Sequence, residues 1–189
     1  MLKLAVLNEC IALLGQAPLV SITDSHPLRA PAIAALAAKN TLVQQRGWWF
    51  NQETITVSPD TAGKIILPGD CIKVQGEIGL AKRGPILYDL ANSTDLFTTD
   101  QTISIVRLLD FELLEEVAAE YICALTLAQF QLDYDGDSDK QSKILRRAEM
   151  ARIELNAEHT RQSRINRITG NFAIGYISSI RNSLRYPIR

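Results

Sequence analysis

Leu4, Leu7, Ile11 and Leu14 recur at spacings of 3, 4 and 3, the stripe of an amphipathic helix. Gly15 stands where a left-handed residue would close that helix, and Pro18 blocks an early resumption. Asp24-Ser25-His26-Pro27 announces a second helix, with Ser25 or His26 at the cap, Pro27 as its first residue and Pro31 still within the first turn. Ile33, Leu36, Asn40 and Val43 mark one face, much of the remainder is alanine, and Arg46-Gly47 supplies the stop. So much alanine lets a neighbour approach closely, whether from this subunit or another.

The period then changes from 3.6 to 2. Five short strands are predicted: Thr54–Val57, Lys64–Leu67, Ile72–Val74, Ile86–Tyr88 and Thr102–Val106. Ser58-Pro59-Asp60, Pro68-Gly69-Asp70 and Arg83-Gly84-Pro85 punctuate them as turns. The connections are too short for crossover helices, so the strands pair antiparallel.

Asp110 is placed to cap a third helix, whose stripe runs Leu114, Val117, Tyr121, Leu125 and Ala128 with Glu115, Glu116 and Glu120 on other faces. Asp133-Tyr134-Asp135-Gly136-Asp137 breaks it, and Ser138 with Gln141 has the form of a capping box. A fourth helix follows through Ile144, Ala148, Ala151 and Leu155 toward Arg164. The fold class is therefore α+β: an antiparallel bundle of about four helices with an inserted antiparallel β module and an extended C-terminal arm. The expected segments are residues 1–48 (helices one and two), 49–107 (β module), 108–165 (helices three and four) and 166–189 (arm).

Among 189 residues, 20 Lys and Arg nearly balance 21 Asp and Glu, but the balance is uneven along the chain. The stretch from His159 to Arg189 holds six arginines and no Lys, Asp or Glu, a net of +6 against −7 for the rest. An acidic body with a basic arm fits nucleic acid, a membrane surface or an acidic protein partner. The interleaving of Phe172, Ile174, Tyr176, Ile177, Ile180, Leu184 and Tyr186 with arginine favours the protein partner, apolar anchors being buried while guanidinium groups meet carboxylates. Arg164, Arg167, Phe172, Tyr176, Ile180, Arg181, Arg185 and Tyr186 are the candidate partner-binding residues. No apolar run is long enough to span a bilayer, no signal peptide is read at the start, and Cys10, Cys71 and Cys123 read as buried thiols of a reducing compartment.

Candidate chemistry is sparse. His26 and His159 lie near helix ends, where a capping or surface role is expected. With Asp133, Asp135 and Asp137 as calcium-loop positions one, three and five, Ile144 falls where a bidentate glutamate is required, so the template fails. Glu115 with Glu120, or Asp95 with Asp100, could be drawn as glycosidase pairs, but 21 acids produce such pairs by chance. No cofactor, metal or catalytic residue is assigned. Arg46, Gly47, Trp48 and Phe50 are read as a structural junction where helix meets sheet.

Several blocks in order resemble one family, the tail tubular protein A or head-to-tail adaptor of short-tailed phages. They are Leu7-Asn8 through Gly15-Gln16 and Pro18; Gln45-Arg46-Gly47-Trp48-Trp49-Phe50-Asn51, the most specific; Leu67-Pro68-Gly69-Asp70; Arg83-Gly84 with Leu87-Tyr88-Asp89; and Val106-Arg107-Leu108 through Phe111-Glu112-Leu113-Leu114 to Tyr121-Ile122. The resemblance covers residues 4 to 135. Departures are Val117, where many relatives carry proline, and Gly69 in place of an aspartate.

The resemblance implies a non-enzymatic virion protein of the head–tail junction, assembled in the host cytoplasm. Its copies would form a dodecameric ring between the portal protein and the tail nozzle protein, tail tubular protein B, with tail fibres as a further candidate partner. Double-stranded DNA would be met only in transit, and no membrane is expected. The competing classes are a virion-associated polysaccharide-degrading enzyme and a nucleic-acid-binding accessory protein. A lumen through which DNA slides should be acidic or neutral, since lysine and arginine would hold phosphate.

Overall fold

A computed structural model describes residues 1–75 and 79–169, with side chains as far as residue 163. Its first helix, α1, spans Lys3–Leu13. It ends because Gly15 adopts φ +67°, letting Gly15 N–H reach the Ala12 carbonyl and Gln16 N–H the Ile11 carbonyl, the paired closure of a Schellman motif. Its buried face is Val6, Leu7, Cys10 and Ile11, while Leu4 and Leu14 are half-buried at its margins.

α2 spans Arg29–Gln44, two residues later than the proline signal implied. Pro27 and Leu28 form a turn ahead of it, and His26 Nδ1 accepts the Leu28 N–H at 3.1 Å, so the histidine caps that turn and not the helix. Of the expected α2 stripe, Leu36, Asn40 and Val43 are buried, but Ala32 replaces Ile33, which is exposed.

The β module follows. Strands β1 (Gln52–Val57), β2 (Cys71–Gln75), β3 (Leu80–Arg83), β4 (Ile86–Asp89) and β5 (Gln101–Arg107) form two antiparallel sheets, β1-β5-β2 and the β3–β4 hairpin. The expected strand at Lys64–Leu67 does not form. Its burial alternates, Ile65 and Leu67 inside and Ile66 outside, but it joins the sheet only by the isolated bridge of Ile66 to Ile86. β3, short and carrying Lys82 and Arg83, was not anticipated.

Asp110 does not cap a long helix. It precedes a 3₁₀ turn, Phe111–Leu113, and α3 begins only at Glu116, running to Tyr134. α4 spans Ser138–Thr169, past residue 165. Its N-terminus is capped by Asp137, whose Oδ1 accepts the Asp139 and Lys140 N–H groups at 2.9 and 3.0 Å, and not by a Ser138–Gln141 box. Ile144, Ala148, Ala151 and Leu155 are all buried.

α3 is the axis of the helical body, packed by α1, α2 and α4. Three neighbours bury more than one face: Ala118, Ala119, Ile122, Cys123, Leu127 and Phe130 are inside, whereas the expected stripe members Val117, Tyr121 and Leu125 are half-buried. A separate apolar cluster, Ile65, Leu67, Cys71, Leu87, Phe97, Ile103 and Ile105, holds the β module. The fold is α+β.

Candidate functional site

The helical body and the β module meet at residues 44–51. Gly47 takes φ +79°, which strains any side chain, and a Cβ there would also lie 2.6 Å from Gln75 Oε1 and 3.0 Å from a Val106 methyl, so both would have to give way. The chain thereby reverses and drives Trp48 into the core at 2% exposure. The Trp48 indole N–H donates to the Val43 carbonyl at 2.8 Å, satisfying the ring's one polar group, and the Arg46 guanidinium stacks 4.8 Å from the Trp48 ring centre. Phe50, half-buried, meets Trp49 edge to face at 4.9 Å.

A buried amide network beneath these aromatics was not foreseen from the sequence. Gln44 Nε2 donates to the Leu109 carbonyl at 2.9 Å and its Oε1 accepts the Leu109 N–H at 2.8 Å, so one side chain pairs both backbone groups of a residue far along the chain. Gln44 Nε2 also donates to Asn40 Oδ1, and Asn40 Nδ2 to the same Leu109 carbonyl. Asn51 completes the set: its Oδ1 accepts the Trp48 N–H at 2.7 Å and its Nδ2 donates to the Arg107 and Gln44 carbonyls. The end of α2, the start of β1 and the exit of β5 are thus tied by hydrogen bonds shielded from water. The one available signal is the Arg46–Asn51 segment itself, whose asparagine follows three aromatics in a row.

His159 corrects its expected surface role. It approaches Trp48 edge-on at 5.3 Å and Trp49 at 6.1 Å, and its Nδ1 is buried without a hydrogen-bond partner. Burial, and then the Arg46 charge, hold its pKa below the ordinary histidine value.

A second polar cluster joins three helices. Arg147 of α4 donates to both carboxylate oxygens of Glu120 at 2.6 and 3.0 Å and to Glu9 Oε2 at 2.7 Å. The Glu120 and Glu9 contacts hold the guanidinium firmly in its charged form. Glu120 is therefore engaged in a fork pairing between α3 and α4, while Glu115 lies at the α3 N-terminus. Cys10 and Cys123 are free and buried, each thiol pushed up to about 12, chiefly by burial. Cys71 is likewise free, buried and shifted upward.

The aspartate turn is built from local bonds: Asp135 accepts from Gln131 Nε2 and pairs with Lys140 at 2.7 Å, while Asp137 caps α4. Among the described residues no group of His, Cys, Asp and Glu is placed to hold a metal ion, and no helix is long and apolar enough to cross a membrane. Of the candidate partner-binding residues, Arg164 and Arg167 fall on the backbone of α4. Phe172, Tyr176, Ile180, Arg181, Arg185 and Tyr186 lie outside the described residues.

Comparison with known proteins bears on this arrangement. The family model described as tail tubular protein matches residues 4–165. A tail tubular protein A, from Klebsiella phage KP34, is 30% identical over 176 residues, which cover 92% of this chain and 95% of that protein.

Proposed function

Since the chain belongs to the tail tubular protein family, we propose that its copies form a ring between the portal and the tail nozzle of a phage particle, with DNA passing through the lumen. Membership makes the chain a structural protein of a phage tail. The match over residues 4–165 is the observation that supports the ring, its two neighbours and the passage of DNA. That span takes in the junction and both apolar clusters.

The geometry suits a load-bearing part. Two apolar clusters are coupled through the Gln44, Asn51 and Trp48 junction, and Arg147 braces α1, α3 and α4. The junction residues Arg46, Gly47, Trp48 and Phe50 serve in this reading to hold helical body and β module at a fixed angle. The C-terminal residues Arg164, Arg167, Phe172, Tyr176, Ile180, Arg181, Arg185 and Tyr186 would engage a neighbouring protein, their cationic groups complementing carboxylates. The role asks for no cofactor and no reaction.

The test is the mass of the purified chain alone and with an isolated portal ring. Discrete rings, or rings that form only on the portal, support the proposal. Turnover of a capsular polysaccharide that disappears on neutralising one carboxylate would favour the enzyme class. Tight DNA binding that falls steeply with salt would favour the accessory binder.

A further inference from the structure

We propose that the cleft between α1, α2 and the 3₁₀ turn receives residues 170–189 of a neighbouring copy, an inference that rests on the ring reading above. The cleft encloses about 350 Å³ over Leu7, Leu36 and Phe111, with Ile33 and Ile22 at its mouth, 40% and 37% exposed. Large aliphatic side chains left at the rim of an apolar cleft are best covered by apolar groups from outside.

Two observations identify those groups. The first is charge. Asp110 lines the cleft and Glu112, Glu115 and Glu116 follow it closely in the chain, all four exposed, while Lys3, the cation lining it, is already tied to Asp110 at 2.6 Å and gives its backbone N–H to Glu112 at 3.2 Å. The ligand that fits is apolar and basic together. Residues 170–189 have that composition: Phe172, Ile174, Tyr176, Ile177 and Ile180 precede a basic end in which Arg181, Arg185 and Arg189 flank Leu184 and Tyr186, and Asp, Glu and Lys are absent.

The second is reach. Arg147 lies at the level of Glu120, one turn into α3, and α4 then continues to Thr169. At 1.5 Å per residue that is ~33 Å of helix carrying the chain past the start of α3. The twenty residues that follow can extend ~70 Å at most, enough to cross to an adjacent subunit. In a closed ring each copy then gives one segment and receives one, a head-to-tail contact that needs no second patch of the same kind.

The experiment uses the full chain with a photo-crosslinking benzoylphenylalanine at Ile33, mixed in equal parts with ¹⁵N-labelled chains carrying no probe. Scattering first establishes that the sample is assembled, alone or on a portal ring. After irradiation the expected product joins residue 33 of the unlabelled chain to a ¹⁵N-labelled peptide within 172–186. The yield should fall about ten-fold when Glu112→Lys and Glu116→Lys are introduced together, since two carboxylates that would attract the arginines become cations that repel them. Crosslinks to the same chain's own C-terminus, to any helix or strand, to another protein, or none at all in an assembled sample overturn the cleft assignment and leave the ring reading standing. A sample that stays monomeric under both conditions overturns the ring reading and this inference with it.

Discussion

Gln44→Met tests whether the buried amide network holds the two parts of the molecule together. Methionine matches the shape of glutamine closely, so packing is nearly conserved and the change isolates hydrogen bonding. Gln44 is 0% exposed and makes three bonds at 2.8 to 2.9 Å, two of them to the Leu109 backbone. Its loss leaves the Leu109 N–H without an acceptor and Asn40 Oδ1 without its donor, whereas the Leu109 carbonyl keeps the Asn40 amide. Two stranded groups in a water-poor site, at ~1–3 kcal/mol each and less what relaxation recovers, amount to ~2–4 kcal/mol. Urea unfolding followed by tryptophan fluorescence should show the midpoint falling with an unchanged slope. The neighbouring exposed Gln45→Met is the control and should stay within ~0.5 kcal/mol of the parent. A Gln44→Met protein as stable as that control would refute the claim that these bonds couple helix to sheet.

Arg147→Met removes the shared partner of Glu9 and Glu120; because these three side chains are 30–40% exposed, the loss should be only ~1 kcal/mol and should shrink as salt is added, which a salt series of thermal melts checks. His159 is held below the ordinary histidine value of about 6.5 in the folded state, so the unfolded chain takes up its proton first and stability is lost as pH falls through about that value. His159→Gln should flatten that acidic loss below about pH 6.5, and a parent–variant difference independent of pH would contradict the assignment. Cys10, Cys71 and Cys123, all buried and shifted upward, should resist a thiol reagent at pH 8 until denaturant is added; rapid labelling of any of them would show that the clusters breathe.

What the sequence disclosed depended on how many neighbours an element has. α4 packs mainly on α3, so its Ile144, Ala148, Ala151 and Leu155 periodicity reads directly as its buried face. α3 is surrounded, and a single-stripe reading of it picks out margins such as Val117 and Tyr121 because the alanines that do the close packing carry little hydropathic contrast. Caps were misplaced by a few residues wherever two candidates stood together, as at Asp137 and Ser138, since either oxygen can take the first free N–H groups. The apolar Lys64–Leu67 run and the polar Leu80–Arg83 strand show that ladder formation is decided by the partner strand available, which local propensity does not contain.

At the junction, Trp48 was visible as an aromatic after a helix stop. Gln44 and Asn51 were not, because a polar side chain on a helix or turn reads as solvent-facing until the backbone it bonds, Leu109 or Arg107, is brought beside it. His159 was missed for the same reason: its aromatic partners lie more than a hundred residues earlier. The cleft between α1, α2 and the 3₁₀ turn has no signature in the sequence, because its lining comes from segments that meet only in the folded chain.

Light scattering coupled to size exclusion, applied to the chain alone and after mixing with a portal ring, tests the central claim most directly. A discrete species many times the subunit mass of 21.0 kDa is expected in at least one of the two samples. A single 21.0 kDa species in both, with the portal ring eluting unchanged, would contradict it.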